Sequence, residues 1–249
     1  MSEQIRRLVS LASRVLGASG HRDFIWGHAS ARDPAGRGVW IKGAGWGLEE
    51  VTPDRVHLVD GHGVVVEGTG ARHSEYPIHT EIMAARPDVG AVVHTHAPHA
   101  VALAAAGLPL RPMSHAANLF VPPDIPRFTA TGDLILTRHL GEQVAAQLGD
   151  ATALFLLHHG IVTVGQDLPA ATMAAVLLEQ AARQQLLVQQ FGGSPTWSDP
   201  HESLSKRSNC YSRPALLQAF EYLVRRLPPA GDDMFIDDAA HTGVTDVGP

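Results

Sequence analysis

Apolar positions recur along the chain at two different periods, and the alternation between them sets out the elements. Ile5, Leu8, Val9, Ala12, Val15 and Leu16 repeat at helical spacing, with Gly17 placed to stop the helix. Short apolar runs follow. Phe24-Ile25-Trp26 and Val39-Trp40-Ile41 are predicted strands flanking the turn Asp33-Pro34-Ala35-Gly36, and Val56 to Val59 with Val64 to Val66 predicts a hairpin across Asp60-Gly61-His62-Gly63. Ser74 to Ala85 is helical, with Ser74 the predicted N-cap and Pro87 just past the end. Gly90-Ala91-Val92-Val93 then reads as a buried strand that Pro98 terminates, and Leu154-Phe155-Leu156-Leu157 as a second of the same kind. Between and after them come helices over Thr137 to Leu148, closed by Gly149, and over Pro169 to Phe191, with a proline in its first turn. Residues 192 to 212 are polar and predicted as loop, and Pro214 to Arg226 is a further amphipathic helix that Pro228-Pro229 ends. Mixed hairpin and crossover connections predict an α/β fold that is not a purely parallel sheet, and no Gly-x-Gly-x-x-Gly follows a strand.

Composition narrows the class. A chain of 249 residues suffices for one large domain, expected over 1–228, with an acidic tail at 229–249 that is expected to be mobile rather than to close over a site. The net charge of −6 comes with no basic block and no interleaving of basic and aromatic residues, which excludes nucleic acid as an expected partner. Cys210 is the lone cysteine, so no internal disulfide and no thiolate zinc site is expected, and a cytoplasmic location fits. Ser10, Ser13 and Arg14 interrupt the apolar run after Arg6-Arg7 and argue against an export signal. No stretch is apolar for long enough to predict a membrane span.

Candidate chemistry gathers at strand ends. In Val93-His94-Thr95-His96 the two imidazoles leave an extended strand by one face, because alternate side chains do so. His158-His159-Gly160, at the end of the second apolar strand, offers a third imidazole, and one of that pair faces the others. Glu75, in His73-Ser74-Glu75, stands at the start of a helix as a candidate acid or base. Three neutral imidazoles leave a divalent cation an open position, the arrangement of catalytic rather than structural sites. The competing reading makes the histidines solvated strand ends and Glu75 a helix-dipole partner, favourable by ~0.3–1 kcal/mol, with His79 one turn on as a surface neighbour. Two apolar strands each ending in histidine favour the metal.

These residues, together with Gly27-His28-Ala29-Ser30-Ala31-Arg32, resemble the class II aldolase/adducin family in matching order over roughly residues 5 to 190. The resemblance implies a three-layer α/β/α sandwich with a mixed, largely antiparallel central sheet. It places His94, His96 and His159 on the metal-ligand positions and Glu75 on the catalytic glutamate. It implies one divalent cation per subunit, zinc first, with manganese, cobalt or iron(II) as alternatives. It also implies a small-molecule substrate and a homotetramer with active sites at subunit contacts. Where sugar-phosphate members carry a Gly-Asn motif, a Thr-Gly loop and two serines, this chain has Gly27-His28, Ala44-Gly45 and His73-Ser74. Most hydroxyl and amide donors for a phosphate are thus missing. His28, Gly45 and Ser74 remain as candidate substrate contacts, with the backbone of Gly43-Ala44-Gly45 as a possible anion nest and Lys42 and Arg72 as possible carboxylate partners. The tyrosine that the aldolase draws from an adjoining subunit is absent from Leu110 to His115. His115 is the candidate replacement as proton donor and Arg111 a candidate carboxylate ligand. The expected function is a metal-dependent carbon–carbon lyase on a small non-phosphorylated hydroxy or keto acid, working through a metal-stabilised enolate, with decarboxylation ahead of aldol cleavage. Second comes an iron(II) oxygenase on the same histidines, and last a non-catalytic module like the adducin head domain.

Overall fold

Alternation across the strands sends one set of side chains to each face of the sheet, and each face acquires its own helices. A computed structural model of the chain describes residues 2–229, so all of the predicted acidic tail but Pro229 lies outside the described residues. The strands are β1 (His28–Arg32), β2 (Val39–Lys42), β3 (Val56–Val59), β4 (Val65–Glu67), β5 (Ala91–Thr95), β6 (Arg127–Phe128), β7 (Ala153–Leu156) and β8 (Gly160–Gly165). They form one sheet in the order β4-β3-β2-β1-β5-β8-β7-β6, in which β6 and β7 pair in parallel and the other neighbours are antiparallel. The helices are α1 (Ser2–Leu16), α2 (Tyr76–Ala85), α3 (Pro98–Ala105), α4 (Arg138–Leu148), α5 (Leu168–Phe191), α6 (Pro200–Cys210) and α7 (Arg213–Arg225).

On one face Ile41, Val92, Leu154, Val162 and Val164 pack with Ile78, Ile82 and Met83 of α2 and Val144 and Leu148 of α4. On the other, Trp40, Leu58, Ala91, Val93, Phe155 and Ile161 pack with residues of α1, α3, α5 and α7. The result is the three-layer α/β/α sandwich with a mixed, largely antiparallel sheet that the family resemblance implied. No helix among the described residues is long and apolar enough to cross a membrane.

Three local expectations are corrected. Phe24-Ile25-Trp26 is a turn, not a strand: Trp26 N–H bonds Asp23 O at 3.0 Å, Phe24 has φ 48°, and its ring is 80% exposed. Gly27, at φ 78°, redirects the chain, and only from His28 onward does it lie between β2 and β5. Residues 192–212 contain α6, whose start is marked by Asp199 accepting from Glu202 N–H at 2.9 Å with Pro200 in the first turn. Of its residues only Ser203 is buried, so it carries no apolar stripe to read. Ser74 is not a cap, because α2 begins two residues later, with Glu75 at the N-cap position and Pro77 in the first turn removing one of the donors a cap would serve.

Candidate active site

The edge where β5 leaves the sheet collects the predicted histidines. His94 and His96 project from one face of β5, opposite Thr95. His94 Nδ1 lies 3.0 Å from Ile161 O and donates to it, leaving Nε2 as a lone pair. His96 Nδ1 donates to Asp23 Oδ2 at 2.6 Å, with the same consequence at its Nε2. The third imidazole is that of His159, in the turn between β7 and β8; His158, at φ 61°, goes to solvent. Gly160 is required there, since a Cβ would stand 2.7 Å from Thr95 O and 2.9 Å from His94 Cε1 and His96 Cδ2.

Ring centroids of His94, His96 and His159 are 4.9–5.2 Å apart, and one nitrogen of each lies within 4.8 Å of the others. Nε2 of His94, Nε2 of His96 and both nitrogens of His159 are buried without a hydrogen-bond partner. A buried unsatisfied polar atom costs roughly 1–3 kcal/mol, so several lone pairs converging on one point fit a divalent cation. The chemistry of the donors agrees: three imidazoles, two of them oriented through the other nitrogen.

Glu75 stands beside this cluster. Its side chain does not cap α2. Oε1 accepts the Ile135 N–H at 2.8 Å and lies 3.6 Å from His159 Nε2, while Oε2 lies 3.7 Å from His94 Nε2. Burial alone would raise its pKa, but His159, the charge that His94 carries when protonated, and the Ile135 N–H outweigh burial and hold it at about 2. The group is therefore a carboxylate at neutral pH. Burial pushes His94 down to about 3 in spite of Glu75, so its ring is neutral, as a ligand must be.

A second wall of the site is also imidazole-rich. His28, whose cross-strand partner is His94, has its ring centroid 4.4–5.0 Å from those of His73, His79 and His94, with the planes tilted. Burial first, then His73, His79, His94 and Lys42, push His28 well below the usual histidine range. His79 is buried in α2, not the surface neighbour of Glu75 that helical spacing suggested. Lys42 Nζ lies 2.9 Å from His73 Nε2 and donates to Ile25 O at 3.0 Å and Gly43 O at 3.3 Å. Burial, opposed by Glu50 and Glu49, lowers it to about 7.

Other expected contacts divide. The nest at Gly43-Ala44-Gly45 is not available as drawn, because Gly43 N–H bonds Arg55 O and Ala44 N–H bonds Ala71 O. Gly45, at φ 84° with open space around its Cα, is the one of the three whose N–H has no partner among the described residues. Arg72 is spent on Gly63 O and lies over the Tyr76 ring. Ser74 sits in the turn before Glu75, and its hydroxyl makes no hydrogen bond among the described residues. Arg111 and His115 bond none of the clustered groups: the Arg111 guanidinium lies 5.1 Å from the Trp197 ring, and His115 Nδ1 is 3.7 Å from Cys210 Sγ. Sequence reasoning missed Asp23, Ser30 and His79. Only His79 left a signal, one helical turn beyond Glu75.

Comparison with known proteins identifies the family and the fold. The family described as "Class II Aldolase and Adducin N-terminal domain" matches residues 7–186. A 3,4-dihydroxyphthalate decarboxylase of Arthrobacter keyseri is 30% identical over 207 residues, covering 76% of this chain and 80% of that protein. A 5-methylthioribulose-1-phosphate/5-deoxyribulose-1-phosphate aldolase of Rhodospirillum rubrum is 35% identical over 162 residues, covering 64% and 69%. Among solved structures, an aldolase II superfamily protein from Pseudomonas syringae superposes with a TM-score of 0.80 at 26% identity, covering 91% of this chain and 92% of that one. L-fuculose 1-phosphate aldolase from Glaciozyma antarctica PI12 gives 0.79 at 23%, covering 90% and 88%.

Proposed function

Because the chain belongs to the class II aldolase and adducin family, we propose that this lyase is divalent-metal-dependent and decarboxylates a small, non-phosphorylated hydroxy or keto acid. The convergence of unpartnered nitrogens from His94, His96 and His159 beside an ionised Glu75 supports the reading above all else. The relatives support a lyase of this type, one a decarboxylase and one an aldolase by name. Decarboxylation is put first because the wall that would receive a phosphate offers imidazoles and a lysine whose three nearest partners are already acceptors.

His94, His96 and His159 would hold the cation, zinc first, which when bound supplies Lewis-acid stabilisation of negative charge on substrate oxygens. Glu75, a carboxylate at rest, takes the proton of a substrate hydroxyl as that oxygen becomes anionic. The carbon–carbon bond to the carboxylate then breaks, carbon dioxide leaves, and the electron pair passes into a substrate carbonyl adjacent to that carbon, leaving an enolate. Glu75 returns its proton to the carbon left behind, and the product oxygen regains one from water on release. The buried Ile135 N–H fixes one carboxylate oxygen of Glu75 and leaves the other toward the histidines.

The test is turnover by zinc-, manganese-, cobalt- and iron-reconstituted protein on hydroxy and keto acids, with 3,4-dihydroxyphthalate first. Anaerobic release of carbon dioxide is the expected result. Release of an aldehyde would shift the assignment to aldol cleavage, and turnover that consumes oxygen with iron alone would shift it to the oxygenase.

A homotetramer with sites at subunit contacts belongs to the same proposal. Arg111 and His115 bond nothing in the cluster of their own chain, so either would act only when delivered by another copy. Light scattering tests the assembly. Recovery of activity on mixing His94→Ala with His115→Ala subunits tests the sharing.

A further inference from the structure

β1 and α2 bring three buried groups into one row. His28 and Ser30 leave the same face of β1, and His79, from α2, lies between them. Ser30 Oγ is 2.6 Å from His79 Nδ1, and His79 Nε2 is 2.6 Å from His28 Nδ1. Ser30 and His79 are fully buried and His28 nearly so.

Each of these short contacts needs one hydrogen and one lone pair. Two assignments satisfy both. In one, Ser30 O–H donates to His79 Nδ1, His79 Nε2–H donates to His28 Nδ1, and the hydrogen of His28 sits on Nε2. In the other every donor reverses, His28 Nε2 becomes a lone pair, and the Ser30 hydrogen is left to Val92 O, at 3.5 Å. That last distance is at the edge of a hydrogen bond, whereas the first assignment places the Ser30 hydrogen in a 2.6 Å contact. The first is the better satisfied in a region without solvent.

We infer that Ser30, acting through His79, holds His28 as the tautomer protonated at Nε2, so that His28 presents an N–H donor to a substrate oxygen and is not a ligand of the cation. Two groups of residues gather closely enough to grip an ion: His94, His96 and His159, and His28, Glu75 and His94. They share His94, whose Nδ1 is committed to Ile161 O and whose one free nitrogen serves one ion. A hydrogen on His28 Nε2 removes the second group from contention and leaves Glu75 free for proton transfer. Ser30 and His79 are thus positioning residues. The ligand half of the inference rests on the proposed metal dependence; the tautomer does not.

Long-range proton–nitrogen NMR on histidine-labelled protein reads the tautomer directly, in the metal-free and zinc-loaded states. His28 is expected to carry its hydrogen on Nε2 in both, and a hydrogen on Nδ1, or an Nε2 resonance moved by zinc coordination, overturns the inference. Ser30→Ala removes one hydroxyl; a folded variant is expected to lose the single-tautomer signature, and an unchanged signature would remove Ser30 from the row. Calorimetric titration with zinc alone supplies the independent readout. His28→Asn and His28→Ala are expected to bind zinc within about threefold of wild type, and a tenfold or greater loss in both would make His28 a ligand. Wild-type protein that takes up no zinc overturns the metal reading and the ligand half with it, while the tautomer is still decided by NMR.

Discussion

The two ends of β1 both bury polar groups, with opposite outcomes. At the far end Arg32 donates to Met83 O, Arg86 O and Val89 O, and Asp33 accepts from Arg37 N, Nε and Nη2 and from Trp40 Nε1. Those charges are used up in joining β1 to the end of α2 and to β2. At the His28 end, the neighbouring β5 delivers His94 and His96 with nitrogens that have no partner at all. Burial of polar side chains is common to both ends, so burial does not mark the site. Convergence of several unsatisfied nitrogens on one point does, because single buried orphans such as His57 Nδ1 occur elsewhere while those of His94, His96 and His159 gather within reach of one ion.

Substitutions should separate the two ends. His94→Ala is expected to remove metal loading and turnover together while leaving the fold, since the lost ring was satisfied within the protein only through Ile161 O. Metal analysis by mass spectrometry checks it; full metal occupancy in the variant would make the histidine end merely structural. Glu75→Gln is expected to cut kcat by about 10²–10⁴-fold with the metal still bound. Equal metal loss in both variants would instead make Glu75 a ligand. Asp23→Asn, which weakens the acceptor behind His96 Nδ1, is expected to lower zinc affinity by roughly 10–100-fold, measured by competition with a chelator.

The same residues show what a sequence carries and what it withholds. His94 and His96 were legible because a period of two in a strand translates directly into a shared face. The layering was implied by the family resemblance, since the central strands β5 and β7 are buried along their whole length and show no alternation. The choice of His159 over His158 came from the family resemblance and not from the pattern of residues, since it turns on the left-handed backbone at His158, which the order of residues does not encode. Asp23 lies 73 positions from His96 in the chain and joins it only through tertiary packing. Phe24-Ile25-Trp26 has strand composition, yet all three side chains are exposed, and composition records the residue rather than its neighbours. α6 failed in the opposite way: its apolar pattern is empty, but the Asp199-Pro200 start signal was there to be read.

The smallest expected effect belongs to the structural end and has a definite pH signature. The Arg37 side-chain hydrogen bonds, against burial and with help from Trp40, lower Asp33 to about 2 from an ordinary 3.8. A carboxyl whose folded pKa is depressed contributes stability that is fully present above its unfolded pKa and is lost as pH falls through the folded one. The window is therefore about pH 4 down to about pH 2. Because Arg37 is 42% exposed, solvent screens the pair and the contribution is discounted to roughly 1–2 kcal/mol. Asp33→Asn should thus unfold in less urea than wild type near pH 7, with the gap narrowing toward pH 3, and turnover at neutral pH should be untouched. A gap that stays constant with pH would assign the loss to altered hydrogen-bond geometry rather than charge. Lost turnover in a folded Asp33→Asn variant would break the separation between the two ends of β1.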